Sequence, residues 1–195
     1  MTATIAAIER STSWHMTGHV TSSGISFKLD LSFDGNARVG GVFTLPDNTQ
    51  FDLVTLGGDG YMRGSDAVWK HLFGGSAASA LHGKWLEFPL TNRELLGFTQ
   101  FTDPESFLTS VLGLPDLANK GETTYGGKQV VELSSPGHAT LYVAATGPAN
   151  TVAVVLHYPG VSGTLMFDRW NAPVSIPTPP ATDVLDLSTL GKTST

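Results

Sequence analysis

The sequence predicts an α+β fold in which a strongly curved antiparallel β-sheet, shaped as a half-barrel, carries helices on its concave side. Three observations indicate this class: apolar residues alternate with polar ones in the first third, helix signals are confined to about 65–113, and strand patterns return in the last third. A twisted antiparallel sheet of about seven or eight strands curls, which leaves the apolar surfaces of sheet and helices facing each other.

The first third predicts four strands joined by short turns. The clearest is 25–33, where apolar residues alternate with Ser, Lys and Asp, a pattern typical of a half-buried antiparallel strand. Its neighbours are predicted at 14–21, 37–45 and 49–56. Further extended segments are predicted at 61–63, 84–88, 122–125, 128–134, 138–146, 150–158 and 163–170.

Helices are predicted only in the middle of the chain, at 67–73 and 77–81 and after Asp103. The last has the strongest signal, because Asp103 suits the cap position and Pro104 suits the first turn of a helix. Gly113 ends it.

Length and composition favour one exported domain. It spans 1–195, with an N-terminal segment at 1–13, a half-barrel at 14–190 with a helical insertion at about 65–113, and a frayed tail at 191–195. The low charged fraction of 14%, with Ser, Thr, Gly and Asn in place of charge, suits a β-rich extracytoplasmic protein. No signal peptide is visible, so Met1 is either a native cytosolic start or a start placed after a removed export segment.

Several function classes are excluded. A net charge of −6 with 11 basic residues argues against a nucleic-acid partner. The chain has no Cys, which excludes disulfides and thiolate metal sites, and no apolar run approaches the ~20 residues of a membrane span.

No catalytic residue, metal site or cofactor is predicted, so the protein is not expected to be an enzyme. His15 and His19 lie about 13 Å apart if they share a strand, too far to hold one metal ion. They are expected to line a polar sheet face, and Asp30 to be solvated on the polar side of its strand. The glycine-rich stretch 57–60 fits a hairpin turn better than a phosphate-binding loop.

Five stretches together carry a family resemblance. They read LVTLGGDGYMRGSDAVW at 53–69, GKWLEFP at 83–89, DPESFLTSVLG at 103–113, GKQVVELSS and then TLYVAAT within 127–146, and TLMFDRWNAPVSIPTPPATDVLDLSTL at 164–190. In this order and spacing, over about 14–190, the chain resembles the actinobacterial extracytoplasmic lipoproteins of the LppX/LprG type, which are relatives of the LolA-like carriers.

The resemblance implies a LolA/LppX-like half-barrel with an apolar cavity between sheet and helices. It also implies the carriage of lipids or lipoglycans at the cell envelope, with a lipid or other apolar small molecule as ligand. Family members are anchored to the membrane surface through an acylated N-terminal Cys. Because this chain has no Cys, its anchor has been removed, or the protein is secreted or membrane-linked in another way.

Thirteen apolar side chains are the candidates to line this cavity, and the same residues would otherwise form a filled core. Those from the sheet are Phe27, Leu29, Leu31, Phe43, Phe51 and Leu53. Those from the helices are Trp69, Leu72, Phe73, Phe107, Leu108, Val111 and Leu112, of which Trp69, Phe73, Phe107 and Val111 are expected to form a mobile lid. The alternative function is an envelope interaction or scaffold domain with a solid core, which would bind a protein through its outer sheet face or an edge strand.

Overall fold

A computed structural model describes residues 2–22, 24–35, 38–92, 95, 98 and 101–190. The strands are β1 Ser13–Ser22, β2 Ile25–Asp34, β3 Arg38–Thr44, β4 Gln50–Leu56, β5 Asp59–Gly64, β6 Trp85–Pro89, β7 Ala118–Tyr125, β8 Lys128–Ser135, β9 Ala139–Ala144, β10 Thr151–Tyr158, β11 Val161–Asp168 and β12 Val184–Asp186. The helices are α1 Thr2–Glu9, α2 Asp66–Phe73, α3 Gly75–Ala80, α4 Pro104–Leu112 and α5 Leu187–Leu190, with a 3₁₀ turn at Ala181–Asp183.

All these strands join one open, curved sheet in the order β12-β6-β5-β4-β3-β2-β1-β11-β10-β9-β8-β7. Neighbours are antiparallel except β12, which runs parallel to β6. The predicted fold class is therefore confirmed. The expected strand number of about seven or eight was too small, because every predicted extended segment and part of the C-terminal tail enter the same twelve-stranded sheet.

The core lies between one face of the sheet, called here the inner face, and the helices. The alternation in β2 determines which side chains face the core. Every second residue from Phe27 to Phe33 is buried, while Lys28 and Asp30 point outward. Val68 and Trp69 of α2 and Leu108 of α4 are fully buried in the same apolar cluster as the inner face. The helices thus cover the apolar side of the sheet, as the α+β prediction requires.

The helix ends follow local signals in the sequence. The Asp103 carboxylate accepts a hydrogen bond from the Ser106 backbone N–H at 3.0 Å, and Gly113 follows the last residue of α4. The helix predicted at 77–81 lies slightly earlier, at Gly75–Ala80. Helix α1 falls in the N-terminal segment, where none was predicted, and it buries Ala7 and Ile8. Within the described residues, no helix is long and apolar enough to cross a membrane.

The segment 172–183, called here the strap, crosses the outer face of the sheet. Its Ile176 forms a second apolar cluster with Val54 of β4 and Trp85 of β6. Gly40 of β3 makes room for it, since a Cβ there would lie 2.7 Å from Ile176 Cγ2. At the far end of the strap, Lys84 Nζ donates to the Thr182 carbonyl oxygen at 3.0 Å. These contacts bring β12 alongside β6.

Candidate ligand-binding site

The six sheet candidates lie side by side on the inner face. Phe43 stands opposite Leu29 on one neighbouring strand and opposite Phe51 on the other, and the Phe43 and Phe51 rings stack at 5.2 Å between centroids. Each of the six sheet candidates exposes at most 5% of its surface. The six are Phe27, Leu29, Leu31, Phe43, Phe51 and Leu53. The register of β2, β3 and β4 therefore assembles these residues into one apolar surface.

Helices α2 and α4 bring the other seven candidates onto this surface. Trp69, Leu108, Val111 and Leu112 are buried in the same cluster as the sheet candidates. Leu72, Phe73 and Phe107 are half-buried and pack against it. The structure thus brings all thirteen candidates together. Of the four expected lid residues, Phe73 and Phe107 reach solvent, whereas Trp69 and Val111 lie inside.

Two phenylalanines outside the thirteen candidates pack against this surface: Phe101 is buried and Phe98 is half-buried. The Phe98 ring meets Phe43 and Phe51 edge-on, with centroids 5.4 and 4.9 Å apart. The Phe101 ring lies edge-on to Phe27 at 5.6 Å. The one sequence feature that could have indicated them is their spacing, since the two phenylalanines lie three residues apart shortly before the Asp103 cap. Their segment of the sequence has no helix or strand periodicity, so no local pattern predicts that they pack against the sheet.

Open space lies at the two ends of the half-barrel, on either side of α4. The cleft beside α1, called the N-terminal cleft, has a volume of about 460 Å³, and none of the thirteen candidates lines it. The cleft beside the β10–β11 hairpin, called the hairpin cleft, has a volume of about 520 Å³ and includes Phe107. The other residues lining the hairpin cleft are Ser22, Phe101, Asp103, Ser106, Ser110, Leu156, Tyr158 and Val161.

Few polar groups reach the interior. The indole N–H groups of Trp14 and Trp69 are buried and have no hydrogen-bond partner among the described residues. Burial raises the pKa of Tyr158, so its phenol beside the hairpin cleft stays neutral to a higher pH than that of an exposed tyrosine. The interior is thus largely apolar, and the Trp69 N–H is an unpaired donor buried within it.

The outer face differs from the expectation at one position. His15 lies on the polar face as predicted, yet it is only 6% exposed. Its Nδ1 lies 2.7 Å from an Asp168 carboxylate oxygen and its Nε2 lies 2.8 Å from an Asp30 oxygen. Asp30 is exposed but is bound to His15 rather than merely solvated. In the described part of the chain, no group of three His, Asp or Glu side chains is arranged to hold a metal ion.

Comparisons with known proteins agree with this architecture. No protein-family model matches the chain, and no curated protein matches its sequence. LprF from Mycobacterium bovis has a similar structure, with a TM-score of 0.60 and 16% identity over 92% of this chain and 95% of that chain. The lipoprotein LppX from Mycobacterium tuberculosis is also similar, with a TM-score of 0.55 and 18% identity over 90% of this chain and 95% of that chain.

An uncharacterized conserved protein from Thermus thermophilus is also similar, with a TM-score of 0.51 and 13% identity over 93% of this chain and 96% of that chain. At such identities the likeness establishes the fold. The resemblance found in the sequence is confirmed at that level: the chain has the open, curved half-barrel fold of LprF and LppX.

Proposed function

We propose that the protein is a non-enzymatic carrier that holds the hydrocarbon part of a lipid or lipoglycan between the curved sheet and the helices. The observation that supports this proposal is the continuous apolar interior, rich in phenylalanine, on a fold shared with LprF and LppX. The thirteen candidates form the walls of the ligand site. The carrier works outside the cytoplasm, at the cell envelope or secreted, which is consistent with the name of LppX as a lipoprotein.

In this proposal the ligand takes the place of the Phe98 and Phe101 rings. Both rings are held in the interior by aromatic edge contacts with the sheet. A hydrocarbon chain replaces such contacts with equally apolar ones, and each buried CH₂ contributes about 0.8 kcal/mol. On the helix side, Phe73 and Phe107 are the two expected lid residues that reach solvent, so the proposal places the mobile part of the wall at these two positions.

The first experiment is organic extraction of the purified, folded protein followed by mass spectrometry. We expect a stoichiometric lipid, either as purified or after incubation with envelope lipids. An empty extract under both conditions contradicts the carrier function.

A variant tests the location of the site. Phe98→Ala removes a ring from the proposed ligand volume, so we expect it to bind a fluorescent fatty acid several-fold more tightly than the wild type does. Phe167→Ala is the matched control, because Phe167 is an equally apolar residue of the same cluster that lies on β11 and outside the thirteen candidates. Equal gains in both variants would mean that any cavity binds the probe.

A second candidate function is supported by the close packing of the thirteen candidates against one another. On this alternative, the protein is an envelope interaction or scaffold domain with a solid core. Strand β7 is its most accessible edge, since Ala118 to Thr124 are exposed. An empty extract together with no saturable probe binding would favour this function.

A further inference from the structure

The inner face of the sheet ends in a row of side chains on four neighbouring strands, called here the rim row. Ile25 of β2 stands opposite Ser22 of β1, Ser22 opposite Val161 of β11, and Val161 opposite Tyr158 of β10. Each lies two residues from a position on the inner face, as Ile25 does from Phe27, so all four point to the same side. The rim row therefore continues the apolar inner face beyond the core.

The rim row is accessible to solvent. Among the described residues, Ile25 is the one large apolar side chain that is exposed, with 59% of its surface in water. Val161 and Tyr158 are half-buried. Ile25 ends the apolar face on β2, separated from Val161 by Ser22. An isoleucine left in water forfeits the free energy of burial and regains it on contact with an apolar phase.

The hairpin cleft opens directly at this row, since Ser22, Tyr158 and Val161 belong to both. Its floor includes Phe101, whose ring contacts Phe27 of the interior. An apolar path thus runs from the rim row, past Phe101, to the proposed ligand site.

The two clefts differ in charge. Of the nine described residues that line the hairpin cleft, only Asp103 is charged. Five of the sixteen described residues that line the N-terminal cleft are charged, and four of these are acidic. Contact with a hydrocarbon phase is costly for charged groups, so the less charged hairpin cleft is the better place for contact with lipid.

We propose that the rim row docks on the surface of a neutral lipid membrane, and that the hydrocarbon chain of the ligand enters through the hairpin cleft past Phe101. This inference rests on the proposed carrier function and adds where the carrier meets its source of lipid. Ile25 would enter the boundary between headgroups and acyl chains, and Tyr158 would lie at headgroup level, where aromatic residues with a polar tip are favoured. The net charge of −6 opposes binding to an anionic surface.

Flotation with phosphatidylcholine vesicles tests this docking. We expect the full chain to float with the vesicles, Ile25→Glu to bind about tenfold less, and Ile25→Leu to bind like the wild type. Because Ile25 is exposed, its substitution leaves the core unchanged. The matched control is Leu56→Glu, which places the same charge on a half-buried apolar residue at the N-terminal cleft and is expected to keep binding.

Three results would overturn the docking inference: a wild type that does not float, an Ile25→Glu variant that floats normally, or a larger loss in Leu56→Glu. Binding that requires anionic lipid and disappears in salt would also overturn it. A fluorescent fatty acid in solution separates the two proposals, since Ile25→Glu should still bind it. If the wild type takes up no probe in solution, the carrier function fails, whatever the vesicles show.

Discussion

At the residue scale, His15 shows how the sheet joins distant parts of the chain. Its strand β1 lies between β2 and β11, so Asp30 and Asp168 approach the imidazole from opposite sides. Asp168 is also 4.0 Å from the Arg169 guanidinium. The imidazole therefore links three central strands on the outer face.

We expect His15→Ala to lower the free energy of unfolding by about 1–2 kcal/mol. The variant loses two hydrogen bonds to carboxylates and leaves Asp30 and Asp168 without the group between them. The expected loss of stability is modest because the carboxylates of Asp30 and Asp168 are both more than half exposed. Urea unfolding measures the change, with His19→Ala on the same strand as the exposed control. Equal effects of the two substitutions would refute this role of His15.

Tyr61 predicts a pH dependence of stability. Burial, and then the hydrogen bond that its hydroxyl donates to Glu87 at 2.9 Å, raise its pKa from 10.0 to about 12. Between these values the folded state keeps a proton that the unfolded state releases. The contribution of Tyr61 to the free energy of unfolding is therefore fully present below pH 10.0 and is lost as the pH rises towards about 12.

Tyr61→Phe isolates this contribution. We expect the variant to lose less stability than the wild type between about pH 9 and about pH 11, because it has no phenol at this position to ionise. Urea unfolding midpoints at both pH values measure the difference. Parallel losses in the two proteins would show that Tyr61 does not contribute.

At the element scale, local signals placed the helices and strands better than they placed the strap. The cap at Asp103 and Pro104 and the alternation of β2 depend on neighbouring residues, and both predictions hold. Helix α1 was missed because its alanine-rich segment lacks a clear apolar stripe. The strap has no periodicity at all, and its position depends on the contact between Ile176 and Gly40.

We expect Gly40→Leu to displace Ile176 and release the strap from the outer face. The added side chain needs the space that Ile176 now fills, while the inner face stays unchanged. Limited proteolysis should then cleave within 172–183 several-fold faster, with the β-sheet circular dichroism retained. Gly75→Leu is the control, because a Cβ at Gly75 meets no atom within 4 Å. Unchanged cleavage in Gly40→Leu would contradict this account.

At the scale of the whole molecule, the pairing of β1 with β11 joins the first and last thirds into one sheet. The curved surface so formed gathers the thirteen candidates, and Phe98 and Phe101 pack against its phenylalanines. On the proposed carrier function, a ligand among these residues would contact several strands at once and so stabilise the half-barrel as a whole.

Ligand loading should raise the melting temperature. A ligand at about 100 times its dissociation constant stabilises the folded state by about 2.7 kcal/mol. For a chain of this length that corresponds to roughly 5–10 °C. Thermal unfolding of the lipid-free and loaded protein measures the shift, and the same headgroup without its hydrocarbon chain is the control. An equal shift with the bare headgroup would show that the apolar interior is not the site.

The sequence alone determined the class of fold, most helices and strands, and which apolar residues form the inner surface, because periodicity and capping express interactions between residues close in the chain. Tertiary structure decided the order of the strands, the burial of His15 between two carboxylates, the strap, and the filling of the interior by Phe98 and Phe101. These features depend on contacts between distant segments, and their geometry follows from packing of the complete sheet rather than from any local pattern.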